Sequence, residues 1–125
     1  MIYGTGIDIV RTHRIREAVE RWGEKFLERV FTKDEIDYAY KKKDPFLSLS
    51  VRFAAKEAFI KAFSYDQTIP LTDIEVCNQD NGRPVLELHG RTGELLKARE
   101  IQAVHLSLSH ERDYGVACVV IEVPG

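Results

Sequence analysis

Apolar and polar positions alternate with two different periods along this chain, and the change of period marks its elements. Ile2 to Val10 reads as a strand rich in β-branched residues and punctuated by Gly4 and Gly6. From Thr12, a candidate N-cap, the period lengthens to that of a helix. Ile15, Val19, Trp22, Phe26 and Val30 form its apolar face, and Gly23 is placed to loosen or break it midway. Thr32-Lys33-Asp34-Glu35 is a capping box that predicts a further short helix ending near the basic run Lys41 to Lys43. Pro45 marks a loop, and Ser48 or Ser50 is read as the start of a helix through RFAAKEAFIKAF, Arg52 to Phe63.

Ser64 to Thr72 is polar, contains Pro70, and reads as a connection. IEVCNQDNGRPVLELHG then predicts a β-hairpin, with Asn81-Gly82 supplying the positive φ angles of a tight turn. Glu94 to Glu100 predicts a brief helix. AVHLSLSHERDYGVACVVIEV predicts two strands around a polar turn. The order gives an α+β fold, an antiparallel sheet with packed helices, in a single domain over residues 1–125.

The RFAAKEAFIKAF helix is unusual. At roughly 100° per residue, Ala54, Ala55, Ala58, Phe59, Ala62 and Phe63 cover one wide side, and Phe53 with Ile60 forms a second apolar strip. Arg52 and Lys56 fall in one narrow polar notch, Glu57 and Lys61 in the other. An exposed Glu57–Lys61 pair at i, i+4 is the plain reading, worth only a few tenths of a kcal/mol. Asp8 raises a second question, because alternation sets it opposite Ile7 and Ile9 in the middle of an apolar strand. It faces water or caps the following helix, or it is hydrogen-bonded, cation-paired or metal-bound. Two hard carboxylates from separate elements, Asp8 and Glu57, suit Mg²⁺ with substrate phosphates.

Composition narrows the class without choosing a reaction. The apolar (44%) and charged (30%) fractions are those of a soluble globular domain, and the net charge of −2 gives no support to nucleic-acid binding. No apolar run approaches a membrane span, and MIYGTGIDIV lacks a basic leader. Cys77 and Cys118 have no metal-type spacing and read as small buried apolar residues of a reducing cytoplasm. Ser107, Ser109 and His110, at the end of a strand, are open to a phosphate contact, a proton carrier or a Ser–His pair. The last is discounted, since no Gly-x-Ser-x-Gly elbow or orienting acid accompanies them. On the first helix Arg11, Arg14, Arg21 and Lys25 cluster on one flank of the apolar stripe, with Glu17, Glu20 and Glu24 beyond. That pattern is either a solvated face or a docking surface for an acidic partner.

GIDIV, RFAAKEAFIKAF, NGRP and SLSH, in this order, resemble the holo-acyl-carrier-protein synthases, the small single-domain 4′-phosphopantetheinyl transferases. The resemblance runs over essentially the whole chain. It implies Mg²⁺-dependent transfer of phosphopantetheine from coenzyme A to a serine of an apo carrier protein, a cytoplasmic step of fatty acid biosynthesis that releases adenosine 3′,5′-bisphosphate. By motif position it places Mg²⁺ on Asp8 and Glu57, and Lys61 beside the phosphates as neutraliser or acid for the leaving group. Arg52, Lys56, Pro84 and His110 match positions lining the coenzyme. The serine's base is left between Glu57 and a metal-bound water oriented by Asp8. The resemblance further implies a homotrimer with interfacial sites, and an acidic carrier helix docking on Arg14 and Arg21. One departure concerns Ser64-Tyr65-Asp66, which stands where the family commonly has a glycine-rich turn, so the wrapping of the coenzyme is expected to differ. A different Mg²⁺-dependent phosphoryl transferase or nuclease, and a catalytically silent binding module, are the competing readings.

Overall fold

In the computed structural model, which describes residues 1–125, strand β1 (Ile2–Arg11) runs directly into helix α1 (Thr12–Trp22). Thr12 is the first helical residue and not the cap. Its N–H donates to the Asp113 carbonyl at 2.8 Å, which ties the strand-to-helix corner to the turn before the last strand. Gly23 breaks the helix outright. Its φ of 59° ends α1, its N–H closes on Val19, and α2 (Glu24–Val30) sets off in a new direction. Trp22, expected on the apolar stripe, is 57% exposed as a result.

Helix α3 (Lys33–Tyr40) opens on the expected capping box: Thr32 Oγ1 accepts from the Glu35 N–H and Glu35 Oε1 accepts from the Thr32 N–H. Helix α4 (Pro45–Phe63) is longer than the pattern predicted. Pro45 begins it at the first helical position, where a missing N–H costs nothing, and Asp44 caps it through Oδ1 to the Phe46 N–H at 3.0 Å. Ser48 and Ser50 lie inside the helix, where Ser50 Oγ donates back to the Phe46 carbonyl.

A short 3₁₀ turn (Leu71–Asp73) leads into β2 (Ile74–Asn78), which pairs antiparallel with β3 (Pro84–Leu88). The hairpin connection is a five-residue loop, Gln79 to Arg83, and only Gly82 takes a positive φ, 85°. Helix α5 (Gly90–Ala98) starts earlier than expected, and β4 (Ala103–Glu111) and β5 (Tyr114–Glu122) complete the chain. The strands divide into two antiparallel sheets, a three-stranded β1-β5-β4 and the separate β2-β3 hairpin, with the helices packed between and around them.

Helix α4 is the centre. β1 and β5 cover one side, and α1, α3 and β2 the others. Residues on most of its circumference are buried, including Ala54, Ala55, Ala58, Phe59, Ala62 and Phe63. The strand lies unusually close to it: a Cβ on Gly4 would stand 2.0 Å from the Ala62 carbonyl oxygen, and one on Gly6 would stand 1.9 Å from that of Ala58. The inner face of β1 is therefore Gly4, Gly6, Asp8 and Val10. Ile7 and Ile9, on the opposite face from Asp8 as alternation requires, point outward at 64% and 61% exposure. Neither cysteine is a buried apolar residue: Cys118 is exposed on that same outer face, across from Ile7, and Cys77 is half-buried.

Because the obstacle at Gly6 is backbone, it cannot swing aside. Gly6→Ala is expected to cost about 3 kcal/mol or more. Gly23→Ala meets nothing within 4 Å and is expected to cost only the strain of a backbone conformation (φ 59°, ψ −135°) that favours glycine, about 2 kcal/mol. Urea unfolding of both variants checks the contrast, and equal losses would contradict it.

Candidate active site

The close approach of β1 and α4 puts Asp8, Glu57 and Lys61 at one place. The side chain of Asp8 is 17% exposed. Lys61 passes over the i, i+4 partner expected for it and reaches across to β1, where Nζ donates to Asp8 Oδ1 at 3.0 Å and to the Ile7 carbonyl at 2.9 Å. Glu57 stands near enough to feel Asp8. Burial first, and then the Asp8 charge, push its carboxyl above the ordinary value of 4.5, against the opposing pull of Lys61 and Arg14. Two carboxylates thus converge with a lysine beside them, and hard oxygen donors on two rigid elements fit a small divalent cation.

A second group lies on another side of α4. Arg52, Pro84 and His110 line a cleft of about 400 Å³ together with Tyr38, Ser48 and Asn78. The Arg52 guanidinium is buried against the Tyr38 ring at 4.2 Å. Nη1 donates to Ser48 Oγ at 2.9 Å, Nη2 donates to Asn78 Oδ1 at 3.1 Å, and Nε has no partner. It has no carboxylate within salt-bridge distance, an arrangement suited to an incoming anion. His110 is exposed within β4, before the turn at Arg112 and Asp113; Ser107 and Ser109 are exposed there too. Asp8, Glu57 and Lys61 are not among the residues that line this cleft.

Lys56 corrects an expectation. It shares a notch with Arg52, as the helical wheel requires, but it does not reach the cleft. Its side chain is fully buried, with Nζ donating to Glu35 Oε1 at 2.7 Å and to the carbonyls of Leu71 and Ile74. Burial pushes the ammonium below its ordinary value while Glu35 holds it up. Glu35, read from sequence only as part of a cap, also accepts from the Val76 N–H at 2.9 Å, so one carboxylate joins α3, α4 and β2. No pattern of apolar positions could have shown that pairing, since its partners are 21 residues apart.

Arg14 and Arg21 lie exposed two turns apart on α1. The Arg14 guanidinium sits 5.9 Å from the centre of the Phe53 ring and that of Arg21 5.1 Å from Trp22. After α4, Ser64 adopts the left-handed conformation (φ 50°, ψ 42°) that a glycine would take freely, with its Oγ donating to the Lys61 carbonyl. Tyr65 stacks on Phe63 at 5.7 Å with Arg99 over both rings, and Asp66 is exposed.

Comparison with known proteins places the chain in one family. The model of the 4′-phosphopantetheinyl transferase superfamily matches residues 4–119. The chain belongs to this superfamily. A holo-[acyl-carrier-protein] synthase of Syntrophus aciditrophicus (strain SB) is 44% identical over 98% of this chain and 97% of its own length. The crystal structure of the holo-[acyl-carrier-protein] synthase from Neisseria meningitidis superposes with a TM-score of 0.90 at 34% identity, covering 98% of this chain and 99% of that one. The synthase from Bacillus anthracis, solved in complex with CoA (3′,5′-ADP), superposes with a TM-score of 0.81 at 37% identity over 99% of both chains. The chain is accordingly a transferase of this family, with the α+β architecture of its relatives.

Two tests follow from the geometry. Removing Lys56 strands a buried carboxylate, so Lys56→Met is expected to lose about 3–5 kcal/mol. In a double-mutant cycle by urea unfolding, Glu35→Gln should cost less on the Lys56→Met background than on the wild type; strictly additive losses would contradict the pair. Glu57 has the opposite sign of effect. A carboxyl whose folded-state pKa lies above its unfolded value holds its proton more tightly when folded. Stability therefore falls as pH rises through 4.5 and beyond, and ionised Glu57 opposes folding at neutral pH. Glu57→Gln is expected to raise the metal-free melting temperature at pH 7, with the gain fading below pH 4.5.

Proposed function

We propose that the Asp8–Glu57–Lys61 cluster and the Arg52–His110 cleft are two parts of one active site, completed between subunits of a homotrimer. The enzyme transfers the 4′-phosphopantetheine group from coenzyme A to a serine hydroxyl of an apo acyl carrier protein and releases adenosine 3′,5′-bisphosphate. The observation that carries this reading is the meeting of two carboxylates and a lysine across β1 and α4. Asp8 and Glu57 would hold Mg²⁺, which when bound neutralises the diphosphate of the coenzyme.

The chain's own groups supply the rest. Lys61 brings an ammonium to the diphosphate, where it offsets the charge developing on the leaving oxygen. Glu57 is placed to accept the serine proton. Arg52, with a buried Nε awaiting a partner, and His110 receive the remaining phosphate charge, and Pro84 forms the wall of that cleft.

Support for subunit assembly comes from the outer face of β1. Ile7 and Ile9 are exposed beside Asp8, and Cys118 pairs across from Ile7, so an apolar strip borders the cluster. Covering that strip with a second copy would bring the cleft of one subunit toward the carboxylates of the next. Arg14 adds a link to the carrier protein, since its charge reaches Glu57 and it shares an exposed helix face with Arg21. An acidic carrier helix seated there would present its serine beside the cluster. Ser64, Tyr65 and Asp66 lie just beyond Lys61, and Asp66 places a negative charge near the incoming phosphates, which lowers coenzyme affinity. Both cysteines are free thiols, in keeping with a cytoplasmic enzyme. No helix is long and apolar enough to cross a membrane.

Intact-mass measurement of an apo carrier protein incubated with the enzyme, coenzyme A and Mg²⁺ should show a gain of one phosphopantetheinyl group. The gain should vanish with chelator and in Asp8→Ala or Glu57→Ala. In the same assay Arg14→Glu with Arg21→Glu is expected to raise KM for the carrier far more than KM for coenzyme A. Coenzyme binding without any mass gain across several folded carriers would leave a binding module instead.

A further inference from the structure

A second set of metal-ligating side chains stands on the β2-β3 hairpin, away from the cluster on β1. Strand alternation puts Glu75 and Cys77 on one face of β2, and the pairing register sets Glu87 of β3 directly opposite Glu75. Donor atoms of Glu75, Cys77 and Glu87 all lie within 4.8 Å of one another. His89, at the start of α5, borders that set through its two carboxylates. Its Nε2 is 2.9 Å from Glu75 Oε1 and 3.9 Å from Glu87 Oε2.

These are not merely clustered acids. Thiol, imidazole and carboxylate together are the donors that select zinc and its first-row neighbours over magnesium. The spacing agrees. Tetrahedral zinc with bonds of 2.3 Å to sulfur and near 2.1 Å to oxygen or nitrogen separates its ligand atoms by about 3.4–3.6 Å. Cys77 Sγ stands 3.6 Å from Glu75 Oε1, and the two His89 separations bracket that range. The charges agree as well. Neither Glu75 nor Glu87 has a lysine or arginine within salt-bridge distance, and Glu75 is held instead by Thr32, Cys77 and His89. On Glu75, Oε2 is already fixed by Thr32 Oγ1 at 2.5 Å, while Oε1 is the meeting point of Cys77 and His89. That second contact gives the carboxylate a rigid support behind the ligand atoms.

We propose that Glu75, Cys77, Glu87 and His89 form a Zn²⁺ site that clamps the β2-β3 hairpin to the start of α5. On binding, the Cys77 thiol proton leaves to solvent and His89 presents Nε2 as its neutral Nδ1–H tautomer, so the ion displaces one proton. The residue after Cys77 is Asn78, which holds Arg52 in the cleft, so the clamp stiffens one wall of that cleft. The site needs no part of the transfer chemistry and stands or falls separately from it.

Titration of the chelator-treated full-length protein with Co²⁺ tests the site through thiolate-to-cobalt charge-transfer absorption. The band is expected in the wild type, in Cys118→Ala, and in Asp8→Asn/Glu57→Gln, which removes the hard-oxygen cluster. It should be absent in Cys77→Ala, and His89→Ala should weaken cobalt binding at least roughly tenfold. Zn²⁺ should displace cobalt and raise the melting temperature of the wild type but not of Cys77→Ala, whose own metal-free melting transition shows that it is folded. No band in the wild type, a band only at millimolar cobalt, or a band that survives Cys77→Ala overturns the site.

Discussion

Everything in this molecule depends on one backbone-to-backbone contact, that of β1 against α4. The strand contributes no side-chain atoms at Gly4 and Gly6, and the helix contributes only methyl groups at Ala58 and Ala62. Helix and strand therefore approach until carbonyl oxygens of the helix occupy the space where strand Cβ atoms would be. At that distance the next inward residue of the strand, Asp8, lies level with Glu57 and Lys61, and Lys61 can bond it directly. Larger residues in either element would move the strand outward and separate the acids. The glycines are thus part of the geometry of the Asp8–Glu57–Lys61 cluster, although none carries a functional group.

Closeness alone does not say which way the helix is turned. An almost wholly apolar helix could rotate about its axis with modest loss of burial, because hydrophobic contact is non-directional. The Lys56–Glu35 pair removes that freedom. A buried ion pair adds little net stability over an apolar substitute, but here its misplacement would leave a charge, a cap and the Val76 N–H unsatisfied together. One notch of α4 is in this way pinned to α3 and β2, and the other notch must then face β1. The cost of the arrangement falls on Glu57, held beside a like charge with its pKa raised. An acid destabilised in this way gains more from a cation or a proton than one already paired, as a proton-accepting site requires.

The polar notches of α4 were legible in the sequence because helical periodicity is a local property, and so was the capping box at Thr32. What each notch faced was not. Lys56 and Lys61 lie about 1.4 turns apart on the helix, yet one is the most enclosed cation of the fold and the other is exposed and bonded to β1; that difference was made by Glu35 and Asp8, residues remote in the chain. Alternation along β1 set Asp8 opposite Ile7 and Ile9 but left open which face is inward. The close approach to α4 demands glycine on the inner face, which puts Asp8 inside and leaves the large residues outside. Pro45 was taken as a break because proline ends helices, while at the first position it starts one. The proposal that the two groups belong to one active site rests on the family resemblance, since nothing local relates Asp8 to His110.

The hairpin shows how a single residue of register decides which chemistry is assembled. A two-residue turn at Asn81-Gly82, the natural reading of that dipeptide, would set Val76 opposite Glu87. The observed loop runs from Gln79 to Arg83 and slips the pairing by one position, so that Glu75 faces Glu87 and Cys77 faces Val85. Because strand side chains alternate with period two, this slip carries Glu87 to the face that Glu75 and Cys77 already occupy. Without it the carboxylates would lie on opposite faces of the hairpin and the thiol would have a single acidic neighbour. Two opposed glutamates and a half-buried cysteine on one face of a hairpin are a donor set suited to closing around an ion. The loop also delivers Asn78 and Pro84 as the last and first residues of their strands to the cleft around Arg52. One register thus sets both the wall of the phosphate cleft and the ligand set behind it, which is why an ion bound to that set would be felt at Arg52.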